Sequence, residues 1–355
     1  MAQQKTLKTE YEYYEALFDP VRAGRQPRYG RKPGRGPKKS AHEIVAELTD
    51  ELVDVESTFS TTYHPSRHEE GWLLSSLAIF YEKGLITDVL SLVKGGKEAS
   101  VYCCEAHPAT GLGLVAAKVY RPRMFRNLRN DKMYRQGREV LTEDGKPAGK
   151  LAGTIERAIR NRSSFGLQAE HTAWLMYEFR ALETLWQAGA AVPQPLASGE
   201  NAVLMSYHGD EQMAAPTLNT VSLEPDEAAA LFWEVLRNID LMLRHDLIHG
   251  DLSAYNILYW PPAPVTGTAG AAGDAHGEIV LIDFPQVVNL HANDRARFIL
   301  QRDVQRVCEY FTGQGIRCDG RAIADELWAR HTHERRLDDM MADWSRFAAT
   351  ESVGQ

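Results

Sequence analysis

The segment His249-Gly250-Asp251-Leu252-Ser253-Ala254-Tyr255-Asn256, followed by Leu281-Ile282-Asp283-Phe284, constrains this chain more than any other. An Asp and an Asn stand five residues apart, and a second Asp closes an apolar run. Between them, Ile257-Leu258-Tyr259-Trp260 reads as a strand. Hard oxygen donors of this kind suit a divalent cation that bridges phosphates. A carboxylate beside them suits the orientation of an attacking hydroxyl. Asp251 fits the second role, and Asn256 and Asp283 fit the first. Either piece alone also fits a polar turn or an Asp at a strand end. The two in this order point to metal-assisted phosphoryl transfer.

Such chemistry also needs a cation on the nucleotide phosphates and a carboxylate to hold that cation. Lys118, in Val115-Ala116-Ala117-Lys118-Val119-Tyr120, is an isolated Lys in an apolar strand. Glu178, in a helix expected over Gly166–Ala188, is the candidate partner, with Glu170 and Glu183 as rivals. The turn Lys94-Gly95-Gly96-Lys97-Glu98-Ala99-Ser100-Val101 lies where a phosphate-covering loop belongs. It is a weak glycine loop, with Lys94 and Ala99 at two of the three glycine positions. Gly96, Lys97, Glu98, Ser100 and Val101 are the candidate nucleotide contacts, through backbone N–H groups and the Lys97 and Ser100 side chains. Met205-Ser206-Tyr207-His208-Gly209 ends an apolar strand and fits a connection between lobes. There the Ser206 carbonyl and the His208 N–H would meet a base, with Met205 behind it.

Composition narrows the class. Hydrophobic residues make up 44% of the 355, enough for a real core, and the net charge of −8 argues against a general polyanion binder. Residues 21–40 are the exception, with eight Arg or Lys and no acid. That run cannot bury a core, and it reads equally as a basic arm for RNA or as a solvated tail. Cys103, Cys104, Cys308 and Cys318 lack metal-ligand spacing and are expected as reduced thiols. The N-terminus shows no apolar leader region, and no run suits a membrane span, so a cytoplasmic location is expected.

The order of elements suggests an α+β protein. A helix is expected over Trp72–Lys83, then strands over Leu85–Val93, Val101–Glu105 and Leu114–Tyr120. Residues 121–168 read as a charged insertion. Ala202–Tyr207 is a short strand, Glu227–His245 a long helix, and Pro261–Gly277 a low-complexity hairpin. Helices close the chain over Ala296–Phe311 and Arg321–Phe347, and another is expected near Ala41–Leu52. The expected organisation is an N-terminal arm (1–65), an N-lobe with an antiparallel sheet and helix (66–209) and a reduced helical C-lobe (210–355).

His249-Gly250-Asp251…Asn256-Ile257-Leu258, Ile282-Asp283-Phe284-Pro285-Gln286 and Gly96-Lys97-Glu98-Ala99-Ser100-Val101-Tyr102 together resemble the RIO kinase family over roughly residues 80–315. The resemblance implies a trimmed two-lobed protein-kinase-like fold that binds ATP and Mg²⁺, with Mn²⁺ as an alternative. It implies autophosphorylation on Ser, a protein substrate, and a role in small-subunit ribosome maturation. Only 72 positions follow Asp283 and contain no Ala-Pro-Glu, so the activation segment of a full protein kinase is expected to be missing. Ser253 stands where ordinary Ser/Thr kinases carry a Lys. Three readings remain open: a Ser/Thr protein kinase, an ATPase switch on a ribonucleoprotein, and a small-molecule phosphotransferase.

Overall fold

The computed structural model describes residues 61–96, 99–120, 164–261 and 276–332, with single positions before and between them. Lys97, Glu98, the basic segment 21–40 and the expected helix near 41–52 lie outside the described residues, as do nearly all of 121–163 and everything past 332.

The first helix, α1, spans Arg67–Glu82. It starts five residues before the expected Trp72, because Ser66 and Glu69 form a capping box ahead of the apolar run. Leu73, Leu77 and Phe80 recur at helical spacing and are fully buried. Gly84, at φ +62°, turns the chain into β1, Ile86–Gly95. Then follow β2, Ala99–Ala106, and β3, Leu114–Tyr120. Helix α2 spans Ser164–Gln187, and β4 and β5 are Pro195–Ser198 and Ala202–Ser206. The five strands pair antiparallel in the order β1-β2-β3-β5-β4. Strand β4 is not among the expected elements. It is a short edge strand that begins at a Pro and lacks apolar alternation, so the period-two signal is absent.

Both faces of β3 are covered, and alternation sorts its residues. Val115, Ala117 and Val119 join the core with α1. Ala116 and Tyr120 join Leu175, Met176 and Phe179 of α2. Lys118 shares the second face, so strand geometry alone aims it at α2.

The C-terminal core is helical. Helix α3, Pro225–Arg244, buries Leu231, Phe232, Val235, Ile239 and Met242 against Ile299, Val304, Val307 and Phe311 of α4, Ala296–Gly313. A further helix, α5, runs over 320–332. Two small antiparallel pairs carry the loops: β6 (Leu247–Ile248) with β9 (Val288–Asn289), and β7 (Ile257–Trp260) with β8 (Glu278–Leu281). Helix α4 begins at Ala296, so residues 284–295 are all that separates Asp283 from the helical core.

Candidate active site

Lys118 is buried, and its Nζ donates to Glu178 Oε1 at 2.6 Å and to Asp283 Oδ1 at 2.6 Å. Strand, helix and loop, far apart in sequence, thus meet at one ammonium. Glu178 is selected over its rivals by helix spacing. It falls in the stripe Leu175, Glu178, Leu182, Leu185, all buried. Glu183 faces outward and pairs with Arg180 at 3.0 Å, and Glu170 lies about two turns earlier on the helix. The Tyr120 hydroxyl and the Phe284 backbone N–H also donate to Glu178.

One cation shared by two carboxylates leaves an imbalance that the titration shifts reflect. Burial alone would lower Lys118, but Asp283 and Glu178 outweigh it and push its pKa up. Burial would raise Asp283, yet Lys118 holds it below the usual carboxylate range, helped by the charge of Lys94. Burial pushes Glu178 up against the opposing pull of Lys118. Asp283 also sits at φ +73°, an unusual backbone for a non-glycine residue.

The loop after β6 is held from several directions. Gly250 has φ +86°, and a Cβ there would lie 2.1 Å from the Gln286 carbonyl oxygen, so only glycine fits. Its N–H donates to buried Asp303 Oδ2 at 2.8 Å, and its carbonyl accepts from Arg302. His249 is buried against the Phe284 ring, 4.5 Å between centroids. Burial pulls its pKa below the usual imidazole value, and Nε2 donates to the Ile282 carbonyl at 3.1 Å. Asn256 Nδ2 donates to the Asp251 carbonyl at 2.9 Å, which leaves Asn256 Oδ1 as the atom for a ligand. The Ile282 N–H donates to the Asn256 carbonyl at 2.9 Å, tying the Asn256 and Asp283 loops together. No cluster of three or more His, Cys, Asp or Glu suited to a metal occurs among the described residues. Asn256 Oδ1 and the Asp283 carboxylate are hard oxygen donors of the kind that suits a cation completed by phosphate oxygens and water, as Mg²⁺ prefers.

The turn between β1 and β2 keeps one essential glycine. A Cβ on Gly96 would lie 2.7 Å from the Ala99 carbonyl oxygen. Ser100 is buried and Val101 pairs with Lys118 across β2 and β3. Met205 is buried on β5 beside Ala116. Ser206 Oγ accepts from the Gln194 N–H at 2.9 Å and meets His208 Nε2 at 3.2 Å. Gly209, at φ +139°, brings the following loop back against Met213 and Ala214. These positions put Met205, Ser206 and His208 at the end of the sheet next to β3.

Sequence reasoning misses Lys94, Tyr120, Arg302, Asp303 and Arg306. Lys94 reads in the sequence only as a replaced glycine, although its charge reaches Asp283. Tyr120 is legible, two residues along the same face of β3 as Lys118. The three α4 residues carry no local signal.

A five-stranded antiparallel lobe with a buried Lys–Glu pair, over a helical lobe with Asp…Asn and Asp loops, is the arrangement of a protein-kinase-like phosphotransferase. The RIO domain family model matches residues 115–267 and 272–323, more than half of the chain. The chain belongs to the RIO domain family. It is 30% identical over 234 residues to the RIO-type serine/threonine-protein kinase Rio1 of Haloferax volcanii, covering 65% of this chain and 66% of that one. It is 24% identical over 258 residues to the Rio2 counterpart of Methanocaldococcus jannaschii, covering 71% and 77%. Against human RIO1 the match is 26% over 236 residues, 66% of this chain but 35% of the human protein. The chain thus spans just under two thirds of the Haloferax protein and about a third of the human one. A structural alignment with the Rio2 kinase of Chaetomium thermophilum gives a TM-score of 0.48 at 18% identity, over 90% of this chain and 87% of that one.

Proposed function

We propose that this chain is an ATP- and Mg²⁺-dependent serine/threonine protein kinase of RIO type that phosphorylates itself and a protein partner. The observation that carries the reading is the single buried Lys118 bonded at 2.6 Å to both Glu178 and Asp283. Lys118 grips the nucleotide phosphates, and Glu178 keeps it in place. Met205, Ser206 and His208 line the base, and Gly96, Lys97, Glu98, Ser100 and Val101 cover the phosphates. Asn256 Oδ1 and the Asp283 carboxylate hold Mg²⁺, with Mn²⁺ as a substitute. The bound cation neutralises phosphate charge. Asp251 orients the acceptor hydroxyl and receives its proton.

The site's position gives a second reading some support. Residues 284–295 are too few for the activation segment that docks a peptide in a full protein kinase. An ATPase cycle on a ribonucleoprotein therefore stands beside protein phosphorylation, with residues 21–40 as the RNA contact in a cytoplasmic setting. No helix among the described residues is long and apolar enough to cross a membrane. Incubation with γ-labelled ATP and Mg²⁺, following phosphoprotein and free phosphate together, tests both. Phosphoserine on the chain supports the kinase. Phosphate release with no phosphoprotein supports the switch. Neither product would defeat both readings.

A further inference from the structure

A cleft of about 590 Å³ opens on the catalytic loop, lined by Asn219, Asp251, Ser253, Asn256, Arg306 and neighbours. None of Lys118, Glu178 or Asp283 borders it, although Asn256, assigned above to Mg²⁺, does. Within it, Arg306 of α4 places Nη1 2.7 Å from Asp251 Oδ1. The other carboxylate oxygen, Oδ2, has only Asn256 Nδ2 at 3.5 Å, a distance too long for a firm hydrogen bond. Arg306 is thus the one side-chain donor within 3 Å of the Asp251 carboxylate among the described residues. Asn219 Oδ1, in the wall of the same cleft, is buried without a hydrogen-bond partner among the described residues. A buried acceptor left open in this way calls for a donor from a bound molecule or water.

We propose that this cleft receives the segment that bears the acceptor hydroxyl, and that Arg306 is the positioning residue that sets Asp251 for transfer. The inference rests on the kinase reading above. The Asp251 side chain is 38% exposed, so burial does not fix its rotamer. The charge-assisted bond to Oδ1 does. It occupies Oδ1 and leaves Oδ2, on a side chain that lines the cleft, as the oxygen to which a serine hydroxyl can donate. In the transfer, the serine Oγ forms a bond to the γ-phosphorus as the bond from that phosphorus to the bridging oxygen breaks. The electron pair leaves with ADP, and the serine proton passes to Asp251 Oδ2. Asn219 Oδ1 takes an N–H or O–H of the same segment. Arg306 touches neither nucleotide nor the reacting atoms. Its contribution is the orientation of the group that does.

The test uses the full chain and four proteins: wild type, Arg306→Ala, Asp251→Asn and the double variant, with Arg306→Lys as the conservative control. Phosphoserine formation, ATP-analogue affinity and melting temperature are measured for each. We expect Arg306→Ala to slow phosphoserine formation on the order of tenfold or more, as loss of orientation does, with nucleotide affinity and melting temperature unchanged. Arg306→Lys should recover part of the rate, since it keeps the charge without the planar fork. In the Asp251→Asn background, removal of Arg306 should change nothing further. A folded Arg306→Ala that works as fast as wild type, or faster, would overturn the inference and make the ion pair inert or a brake. Losses that multiply in the double variant, or a loss shared by nucleotide affinity, would overturn it too. Should Arg306→Ala fail to fold, Arg306→Lys and Arg306→Gln carry the same comparison. An inactive wild type would defeat the kinase reading and this inference with it. An active wild type with indifferent Arg306 variants would defeat the inference alone.

Discussion

The two candidate catalytic carboxylates are exposed to a similar degree, Asp283 43% and Asp251 38%, but the cations that meet them are not. Asp283 meets Lys118, a buried ammonium already held by Glu178 and lodged in the apolar face of β3. Asp251 meets Arg306, whose side chain is 40% exposed in the lining of an open cleft. In the first place, the ammonium and Glu178 are buried, so each partner shifts the titration of the others. In the second, solvent screens the pair and its worth is mainly geometric. The difference suits the division of labour in phosphoryl transfer. Binding a polyanion and its metal needs strong, preorganised charge. Guiding a hydroxyl needs a correctly aimed carboxylate that a substrate can still reach.

The largest effect should come from Asp283. Asp283→Ala removes a proposed metal ligand, and phosphoryl transfer should fall by about 10³-fold or more while the circular dichroism spectrum stays native. Chelation of Mg²⁺ from the wild type should reproduce the loss. Near-normal turnover in the purified variant would remove Asp283 from the metal site.

Next in size are Lys118 and Glu178, the other two members of the cluster around Asp283. Lys118→Ala and Glu178→Ala should each cut activity on the order of 10²-fold and weaken nucleotide binding. Lys118→Ala leaves Glu178 buried without its cation, so stability should drop by about 3–5 kcal/mol in denaturant titrations, whereas Glu178→Ala leaves Lys118 its bond to Asp283 and should cost less. The double variant should be little worse than either single one. Fully additive losses would show that the two residues act separately.

Asp251 sharpens the comparison from the other side. Asp251→Asn should lower phosphoserine formation by about 10²-fold or more, yet keep ATP affinity within a few-fold, since it acts on the chemical step. Isothermal titration with an ATP analogue checks the second half. A collapse of nucleotide affinity would break the distinction between the two sides. The smallest effect on chemistry, but a clear one on stability, belongs to Gly250→Ala. A left-handed residue would gain a Cβ 2.1 Å from a carbonyl oxygen, at a cost on the order of 3 kcal/mol. An unchanged melting temperature would mean that the loop has room to shift.

Much of this site is legible in the amino-acid sequence. Short continuous apolar runs place β3 and β5, and helical spacing places α2, α3 and α4 to within a few residues at either end. The spacing of Asp251, Asn256 and Asp283 marks the two loops proposed above for metal and acceptor. Even the choice of Glu178 over Glu183 lies in the stripe Leu175, Leu182, Leu185. The short elements are not legible. Strands β6 and β9 are two residues each and exist only because Leu247 and Asn289 are brought side by side by the packing around them.

The sequence alone determined the class of the chain, because catalytic loops and strand alternation are local and their chemistry depends on residue type and spacing. Only the tertiary structure decided which groups support them. Asp303, Arg302 and Arg306 lie about fifty positions from the loop they grip. An Asp and two Arg on an amphipathic helix look like an ordinary polar face. They became a clamp on Gly250 and Asp251 because α3 and α4 pack through Phe232 and Phe311, which fixes the side of α4 turned toward the loop. That rotation is set by the whole helical core, and no stretch of sequence contains it.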